Sequence, residues 1–381
     1  MRRIEFVYFD AGGGHRSAAT ALKSVIDSQN RPWNVHLFNL QEHLDALDFV
    51  RALTRVRMQD VYNLMLRRGW TLGSTQIMRV LQLTIRLYHP LLVRRLTDYW
   101  RDRQPDMVVS FIPHFNRALG ESFRKAFPDR PFVTLLTDLA DFPPHFWIEQ
   151  QRQYFICGTE HAAEQARRMG HPDHRIFRTS GMILNPRFYE PATIDPVAER
   201  KRLGLEPDRV TGLVLFGGYG AWSMLEIAER LENSSLPIQL IFICGKNERL
   251  ADSLRKRPLR RPRFVEGFTR EVPHYMRLSD FFLGKPGPGS ISEALAMRLP
   301  VIVERNAWTL PQERYNAEWV RENDFGLTVR NWREAVRATE GLIEPERFTA
   351  RRQRIAALCN RAVFEIPEAF ERILDSPAAV G

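Results

Sequence analysis

Residues 283–316 read LGKPGPGSISEALAMRLPVIVERNAWTLPQERYN, which predicts a strand end, a glycine-rich turn, a short helix, a buried strand and a polar loop. The glycines of GKPGPG allow the backbone to turn sharply and to approach a ligand closely. Ser290 and Glu293 match the S-x-x-E capping box that opens a helix. Because a helix amino end carries free amides and a positive dipole, this stretch is suited to a phosphate.

Each part of this stretch also has a simpler interpretation. Glycine-rich turns close many strand–helix units that bind nothing, and Glu293 could serve only to cap its helix. Gln312, Glu313 and Arg314, however, place several hydrogen-bond donors and acceptors in one predicted loop. That set is more polar than a turn requires, and it suits a ligand with many hydroxyl groups.

The beginning of the chain predicts a second ligand-binding turn. Ile4–Phe9 is a short apolar strand, and DAGGGHR leads from its carboxyl end into a helix from Ser17 to Ser28. Ligands bind at this edge of a βαβ unit. His15 is therefore either a structural histidine or a general base, since its unperturbed pKa of about 6.5 lies near physiological pH. Asp10 or Asp138 could orient the imidazole, and the sequence leaves that choice open.

The rest of the chain predicts two successive α/β series and hence an α/β fold of two Rossmann-like, doubly wound domains that face each other across a cleft. We expect an acceptor- and membrane-facing domain at 1–185, a donor domain at 197–350, and a helical segment at 351–381 that packs back across the domains. The segment from Gly181 to Pro196 is the expected linker. The predicted strands are Val35–Leu40, Met107–Ser110, Phe132–Thr137, Tyr154–Cys157 and Arg175–Ser180 in the first series, and Thr211–Phe216 and Ile238–Cys244 in the second.

Composition limits the class of protein. The 381 residues suit two domains, and the sequence holds no apolar run of 18 residues, so no membrane span is predicted. The initial IEFVYFD contains charges and has no small-residue cleavage site, so it is predicted as a first strand and not as a signal peptide. Three widely spaced cysteines predict reduced thiols in a cytosolic protein, without a disulfide framework or a zinc site. The net charge of +10 indicates nucleic acid, an anionic membrane, an anionic substrate, or simply a basic, solvated surface.

Arginines concentrate in the region from Asp45 to Gln104, where two or three helices, one kinked near Pro90, are predicted. Arg79, Arg86, Arg94 and Arg101 recur every seven or eight residues and so share one helix face. Such a face either lies on an anionic membrane, where each cation contributes about 1 kcal/mol, or is merely solvated. The same two interpretations apply to the arginine run 255–263, for which a solvated loop is the simpler one; after it, VEGF is predicted to begin a short connection.

Two glycine loops are suited to a diphosphate that has no metal ion. The sequence contains no D-x-D triplet, so amides, a helix dipole and cations would have to stabilise that charge. The predicted loops Gly217–Gly220 and Gly287–Ser290 supply amides, and Lys285 and Lys246 are the nearby cations. A G-x-G-x-x-G dinucleotide motif is incomplete here, because Ser223 holds its last position.

Two separated motifs resemble one known family. KPGPGSISEAL, followed by a strand and PQERYNAEWV, is similar to the nucleotide-sugar signature of the monogalactosyldiacylglycerol synthase family, and DAGGGHR matches that family's other hallmark. TDLADFPPHFW, FGGYG, ICGKN and VEGF resemble further segments. The resemblance implies a GT-B glycosyltransferase, related to the peptidoglycan N-acetylglucosaminyltransferase. Such enzymes transfer a hexose from a UDP-sugar to diacylglycerol at a membrane surface, and the transfer inverts the anomeric configuration of the sugar.

The residues and the resemblance together give a set of candidate site residues. His15 would be the catalytic base, supported by Asp10 or Asp138. Glu293 would hold the ribose, and Gln312 and Glu313 the hexose. The other donor residues are Gly217, Gly218, Gly220, Lys246, Gly287, Gly289 and Ser290, and the acceptor or membrane residues are Gly13, Gly14, Arg79, Arg86, Arg94 and Trp147. The UDP-sugar is the donor substrate, and no metal or other cofactor is expected.

Departures from the family pattern leave the substrates open. Pro286 replaces the usual alanine, and LPQE with a preceding ERNAWT replaces the usual loop around P-G-Q-E. Galactose, glucose and N-acetylglucosamine therefore all remain candidates, and so do several lipid acceptors. We expect a cytosolic enzyme, peripheral on the inner face of the cell membrane, of undetermined oligomeric state. The alternatives are a UDP-sugar 2-epimerase of the same fold and a basic nucleic-acid-binding protein, which would interleave aromatic residues with its cations.

Overall fold

A computed structural model describes residues 1–10, 13–44, 74–191, 194–258 and 260–375, and in the helix that begins at Ser74 it describes side chains from Leu87 onward. The described residues form two compact units. The first unit contains the chain up to Pro186 together with the chain from Asn360 onward, and the second contains Arg187–Cys359.

Strands and helices alternate along both units. In chain order the first elements are β1 (Arg2–Tyr8), α1 (Gly14–Ser28), β2 (Trp33–Asn39), α2 (Leu40–Leu44), α3 (Ser74–Arg103), β3 (Met107–Ser110), α4 (Asn116–Ala126), β4 (Phe132–Leu135), β5 (Tyr154–Cys157), α5 (Glu160–Arg168) and β6 (Ile176–Arg178). They are followed by α6 (Pro196–Arg202), β7 (Val210–Leu215), α7 (Ser223–Glu232), β8 (Ile238–Ile243), α8 (Glu248–Lys256), β9 (Arg263–Glu266), α9 (Val272–Arg277), β10 (Phe281–Gly284), α10 (Pro288–Ala296), β11 (Val301–Glu304), α11 (Pro311–Glu322), β12 (Gly326–Val329), α12 (Ala335–Ile343), α13 (Pro345–Ala356) and α14 (Ala362–Asp375).

The first unit is built on a parallel sheet of order β2-β1-β3-β4-β5-β6. The strand order reverses beside β1, which pairs with β2 on one side and β3 on the other. Strand residues such as Phe6, Val108 and Val133 are fully buried, as expected for a sheet that helices cover on both faces. The carboxyl ends of β1 and β3 therefore flank the point at which doubly wound sheets bind ligands.

The last helix, α14, completes the core of this first unit. Phe370 is fully buried, with its ring centroid 6.0 Å from that of Phe6 and 6.4 Å from that of Trp33. Arg31 and Glu371 form an ion pair of 2.5 Å beside these rings. Packing of aromatic rings from β1, β2 and α14 thus joins the end of the chain to its beginning.

The second unit is a parallel sheet of order β12-β11-β10-β7-β8-β9. Here the order reverses beside β7, which pairs with β8 and with β10. Its core includes the fully buried Phe242, Phe281 and Leu283. The expectation of two doubly wound α/β halves is confirmed, and each half has its own switch point between two strand ends.

Helix α3 continues through Pro90, the position of the predicted kink. It is anchored to α4 by the fully buried Trp100, whose Nε1 donates to Ser122 Oγ over 2.9 Å. The sequence pattern does not indicate α4, because polar residues such as Asn116 and Ser122 interrupt the apolar pattern although both are buried. The predicted helices over residues 45–73 lie outside the described residues.

Two predictions for the quoted stretch are wrong in detail, because prolines begin both of its helices. Helix α10 begins at Pro288, with Gly287 as an N-cap that makes no side-chain capping bond, so Ser290 does not form the predicted capping box. Gln312, Glu313 and Arg314 lie in the first turn of α11, which begins at Pro311, and not in a loop. Proline is well suited to the first helical position, since its fixed φ matches the helix and its missing donor is not needed there.

Two further predictions fail because arginine and asparagine side chains make internal contacts. The arginine run ends on a strand, β9, in the segment predicted as a connection, and Arg263 binds both carboxylate oxygens of the buried Glu232 at 2.8 Å. The helical segment predicted at 351–381 is two helices, the end of α13 and α14. Asn360 separates them: it accepts from the Ala362 amide at 3.1 Å and donates to the Met182 carbonyl at 2.9 Å.

Candidate active site

The switch point of the first unit holds His15. This residue is in the first turn of α1, directly after Gly13 in the left-handed conformation (φ 82°) and Gly14. Its Nδ1 lies 3.0 Å from the hydroxyl of Thr137, which follows β4. The half-buried imidazole is therefore held between the loops that follow β1 and β4, two strands that have β3 between them in the sheet. Parallel pairing places these strand ends at one edge, so residues 122 positions apart meet.

Burial controls the charge of this histidine. Desolvation lowers the pKa of His15 from 6.5 to about 4, although the backbone carbonyl of Phe111 partly opposes it by stabilising the charged ring. The imidazole is consequently neutral at pH 7, which is the form that can accept a proton. Phe111 follows β3, the strand on the other side of the switch point.

The two acids proposed beside His15 each contact another residue. Asp10 forms an ion pair with Arg16 at 2.9 Å, and Asp138 accepts from the indole Nε1 of Trp147 at 2.9 Å. The Trp147 ring lies edge-on to the imidazole, with ring centroids 6.0 Å apart. Because Trp147 is fully buried, it presents no surface to a membrane; its contacts place it behind His15. Whether either acid orients the imidazole stays a prediction.

The loop around Trp147 is organised by a carboxylate that the sequence analysis did not single out. Asp141 is 2% exposed, and it accepts from the amides of His145 at 3.0 Å and Trp147 at 2.6 Å. The pKa of Asp141 is raised, because the effect of burial is larger than the opposing effect of these amide hydrogen bonds. Thr137 and Asp141 both lie in the TDLAD segment, so a polar cluster directly after a buried strand was the available signal. In the structure the ADFPPHFW segment is a loop packed by its own backbone contacts.

The switch point of the second unit is lined by glycine loops after β7 and β10. Gly217 (φ 72°) and Gly220 (φ 59°) adopt left-handed conformations that other residues rarely take. A Cβ at Gly220 would lie 2.6 Å from the Cys244 carbonyl oxygen, so this turn also depends on close backbone packing. At Gly218 and Gly289, by contrast, a Cβ would meet no described heavy atom within 4 Å. The backbone at those two positions is open to a ligand.

An ion pair between a partly exposed lysine and a buried glutamate lies between these two loops. Lys285 Nζ contacts Glu313 Oε1 at 2.9 Å, and Glu313 is 8% exposed. A Cβ at either Gly217 or Gly287 would lie 3.5 Å from the Lys285 side chain, so the lysine reaches both glycine loops. Asn316 supports the second loop by donating to the Pro286 carbonyl at 2.8 Å. The structure thus brings together Gly217, Lys285, Gly287 and Glu313.

Glu293 projects from α10 as a half-buried carboxylate that makes no hydrogen bond within the described ranges 1–10, 13–44, 74–191, 194–258 and 260–375. Burial alone raises its pKa from 4.5 to about 7. Ser290, half-buried in the first turn of the same helix, and Gln312, half-buried in the first turn of α11, are the neighbouring polar groups along the chain. A desolvated carboxylate without a partner is characteristic of a ligand-binding group.

Lys246 lies apart from Lys285, on the loop after β8. It is exposed, and its Nζ is 5.8 Å from the ring centroid of Tyr219 and 5.6 Å from that of Phe268. Its amide donates to the Gly218 carbonyl at 2.9 Å, so this cation remains tied to the first glycine loop. The three side chains form a cation–aromatic cluster at the same sheet edge.

The predicted membrane residues lie on α3. Arg94 is exposed, whereas the side chains of Arg79 and Arg86 precede the described part of this helix. Leu87 is 71% exposed and Leu91 is 41% exposed one turn further along. In the part of the chain that the structure describes, no helix is long and apolar enough to cross a membrane, and no group of three or more metal-ligating side chains is assembled.

Solved structures with the same architecture identify the fold class as GT-B. MurG of Acinetobacter baumannii aligns with a TM-score of 0.64 over 98% of this chain and 100% of its own, at 10% identity. S. aureus MnaA in its UDP co-structure gives 0.62 over 100% of both chains, at 16% identity. A putative UDP-N-acetylglucosamine 2-epimerase from Listeria monocytogenes gives 0.59 over 98% and 96%, at 14% identity.

Sequence comparisons find similarity to one family of enzymes. The model of the monogalactosyldiacylglycerol synthase family matches residues 15–182. The probable monogalactosyldiacylglycerol synthase 2, chloroplastic, of Oryza sativa subsp. japonica is 27% identical over 409 residues, which cover 100% of this chain and 82% of that protein. Monogalactosyldiacylglycerol synthase 1, chloroplastic, of Arabidopsis thaliana is 26% identical over 340 residues, which cover 85% and 62%. The resemblance to this family is confirmed.

Proposed function

We propose that this protein is a UDP-sugar-dependent hexosyltransferase that transfers a hexose to a lipid acceptor, diacylglycerol, at an anionic membrane surface. The observation that carries the proposal is the switch point of the second unit, where two glycine loops open to a ligand surround the Lys285–Glu313 pair. Amides and a cation at a helix amino end are suited to a diphosphate, and no step of this proposal needs a metal ion. The family of the relatives supplies the donor and acceptor classes.

In this proposal the two units supply different parts of one displacement. Gly217–Gly220 and Gly287–Ser290 hold the diphosphate, Glu293 accepts from the ribose, and Gln312 and Glu313 bind the hexose. With Nδ1 engaged by Thr137, Nε2 of His15 takes the proton of the acceptor hydroxyl. The acceptor oxygen then forms a bond to the anomeric carbon while the bond from that carbon to the UDP oxygen breaks. A single displacement of this kind inverts the anomeric configuration.

The membrane role is proposed for the exposed face of α3. Leu87 and Leu91 offer apolar area, and Arg94 offers a cation near it. Burying one leucine side chain contributes about 1.5–3 kcal/mol and each cation near an anionic surface about 1 kcal/mol. We propose from this face a peripheral association with the inner side of a cell membrane.

A turnover assay tests the proposed reaction. The protein is incubated with UDP-galactose, UDP-glucose or UDP-N-acetylglucosamine, with and without diacylglycerol in anionic vesicles, and UDP release is followed. We expect lipid-dependent UDP release with one donor. The variant His15→Ala should release UDP about 10²–10⁴ times more slowly while retaining its affinity for UDP. His36→Gln, a change at a half-exposed histidine of the same unit, is the matched control. Absence of lipid-dependent turnover with every donor would remove the proposal.

A sedimentation assay tests the membrane face separately. Leu87→Ser combined with Leu91→Ser should weaken binding to anionic vesicles at least tenfold, because both apolar contacts are lost. Arg94→Gln should weaken it less, and in a salt-sensitive manner. Leu358→Ser, at an equally exposed leucine of the second unit, is the control. Unchanged sedimentation of the double variant would assign α3 to another role.

The two alternative functions are not favoured. A UDP-sugar 2-epimerase shares the fold, as the Listeria structure illustrates, so fold alone does not separate it from a transferase. The family match and the plant relatives favour the transferase. A nucleic-acid-binding role would need aromatic platforms among the cations, whereas the side chains described next to Arg94 on α3 are largely aliphatic.

A further inference from the structure

An exposed tryptophan stands on the loop that joins β11 to α11 in the second unit. Trp308 is 49% exposed, in a loop that leaves the carboxyl end of β11. This strand is the neighbour of β10, so the loop belongs to the same sheet edge as the glycine loop of Gly287. The chain then enters the turn of α11 that carries Gln312 and Glu313. Trp308 is therefore close in the chain to the residues proposed to bind the hexose.

Hydrogen bonds hold this loop in one conformation. The side-chain oxygen of Asn306 accepts from the amides of Trp308 at 2.8 Å and Thr309 at 3.2 Å, and its Nδ2 donates to the Arg330 carbonyl at 2.9 Å. The Thr309 hydroxyl accepts from the Asn306 amide at 2.9 Å. Arg314 closes the loop by donating to the Thr309 carbonyl at 3.2 Å. Because these bonds exist before any ligand arrives, little backbone entropy is lost when the indole makes a contact.

We propose that Trp308 stacks against the hexose of the bound nucleotide-sugar and contributes to the choice of sugar. The inference rests on the proposed function and deepens it by naming a residue that contacts the sugar and not the nucleotide. A pyranose has one face of C–H groups that can pack on an indole ring, while its hydroxyls point sideways towards polar groups such as Gln312. A rigid aromatic plane beside polar side chains provides both kinds of contact.

A membrane contact is the other use of an exposed tryptophan, and the charges around Trp308 do not favour it. Arg305 is paired with Glu318, and Arg314 donates to the carbonyls of Thr309 and Ala307 within the loop. These cations are therefore engaged by the protein, whereas binding to an anionic surface depends on cations that can face the lipid. The exposed leucines assigned to the membrane belong to α3.

The test compares affinity for a UDP-hexose with affinity for UDP by isothermal titration of the full-length protein. Trp308→Ala should weaken binding of the donor sugar nucleotide that supports turnover by roughly three- to tenfold and leave UDP affinity unchanged, while Trp308→Phe should retain most of it. Asn306→Ala, which unties the loop but keeps the indole, should shift the same ratio in the same direction. Trp222→Ala, at a tryptophan 52% exposed on the loop after β7, is the matched control and should leave the ratio unchanged.

Each remaining outcome overturns the inference. If Trp308→Ala weakens UDP and UDP-hexose equally, or weakens neither, the indole does not contact the sugar. If the ratio is unchanged but sedimentation with anionic vesicles falls, Trp308 is a membrane residue. If the unmodified protein binds neither UDP nor any UDP-hexose, the proposed function fails as well, and that result differs from a protein that binds UDP without sugar-dependent effects at Trp308.

Discussion

The replacement Glu293→Gln should make the second unit more stable at pH 8 while weakening its binding of UDP. The wild-type carboxyl has a pKa raised to about 7 by burial, against 4.5 in the unfolded chain. Between these two values the folded state binds more protons than the unfolded state. Stability therefore falls as pH rises from 4.5 to about 7, and it stays lower at every higher pH. Glutamine does not ionise, so the variant lacks this loss.

The structure sets the size of the effect. A pKa difference of about 2.5 corresponds to about 3 kcal/mol at 1.36 kcal/mol for each pKa unit. Partial exposure of the side chain screens some of this penalty, so a gain of about 2 kcal/mol at pH 8 is the expected value. For a unit of this size, about 2 kcal/mol raises the melting temperature by roughly 4–8 °C. At pH 4 or below, where the Glu293 carboxyl is protonated in both the folded and the unfolded state, the gain in stability should vanish.

Thermal melts at pH 4 and pH 8 and titration with UDP measure the two expected effects. Glu304→Gln is the matched control, because burial first, and then the charge of Glu226, also raise the pKa of Glu304 to about 7. Both variants should gain stability at pH 8, but only Glu293→Gln should weaken UDP binding, since only Glu293 is proposed to accept from the ribose. A residue that reduces stability while it improves binding is expected at a ligand site.

One pair of results would refute this reasoning. If Glu293→Gln melts at or below the wild-type temperature at pH 8, the carboxylate is not penalised by its surroundings. If, in addition, UDP affinity is unchanged, Glu293 neither carries a desolvation penalty nor binds the nucleotide. A gain in stability without loss of UDP affinity would retain the electrostatic argument and reject the ribose assignment alone.

Three other measurements test the remaining contacts. Lys285→Met should lower stability by about 1–2 kcal/mol, because it leaves the Glu313 carboxylate buried and unpaired. The double variant Lys285→Met with Glu313→Gln should recover the melting temperature but not the UDP affinity. Thr137→Val should reduce turnover roughly tenfold without changing UDP affinity, because the His15 ring loses one orienting hydrogen bond. The first unit should lose stability as pH falls from 6.5 towards 4. Burial lowers the pKa of both His15 and His114 to about 4, so in this range only the unfolded state takes up those protons. His114→Gln should flatten the slope of stability against pH in thermal melts across that range. A double variant as unstable as Lys285→Met would contradict the first of these predictions. An unchanged turnover rate in Thr137→Val would contradict the second, and an unchanged pH slope in His114→Gln would contradict the third.

Local pattern was sufficient to predict most of the strands and the glycine turns that follow them. The intervals Met107–Ser110 and Tyr154–Cys157 agree with the observed strands, because buried parallel strands are short apolar runs that do not depend on context. Glycines after strands likewise mark sharp turns wherever they occur. Two such motifs in the correct order were enough to suggest the family and, with it, the donor and acceptor classes.

Pattern failed where side chains from distant positions determine the result. Arg263 resembled a surface residue in sequence, yet it is buried by its pair with Glu232. The sequence gives no prediction of α4 because Asn116 and Ser122 are polar, although both are buried and hydrogen-bond to tryptophans. No sequence window contains both members of such a contact. The hydrophobic pattern therefore misreads polar residues that are buried with a partner.

The sequence by itself determined the succession of strands, glycine turns and helices, since these depend on neighbouring residues and on chain stiffness. Only the tertiary structure decided which strand ends meet. That meeting places Thr137 and the Phe111 carbonyl at His15, and it places Lys285 between the loops of Gly217 and Gly287. The physical reason is that strand order, and not sequence distance, decides which side chains share a sheet edge, and burial at that edge sets the pKa of His15 and Glu293.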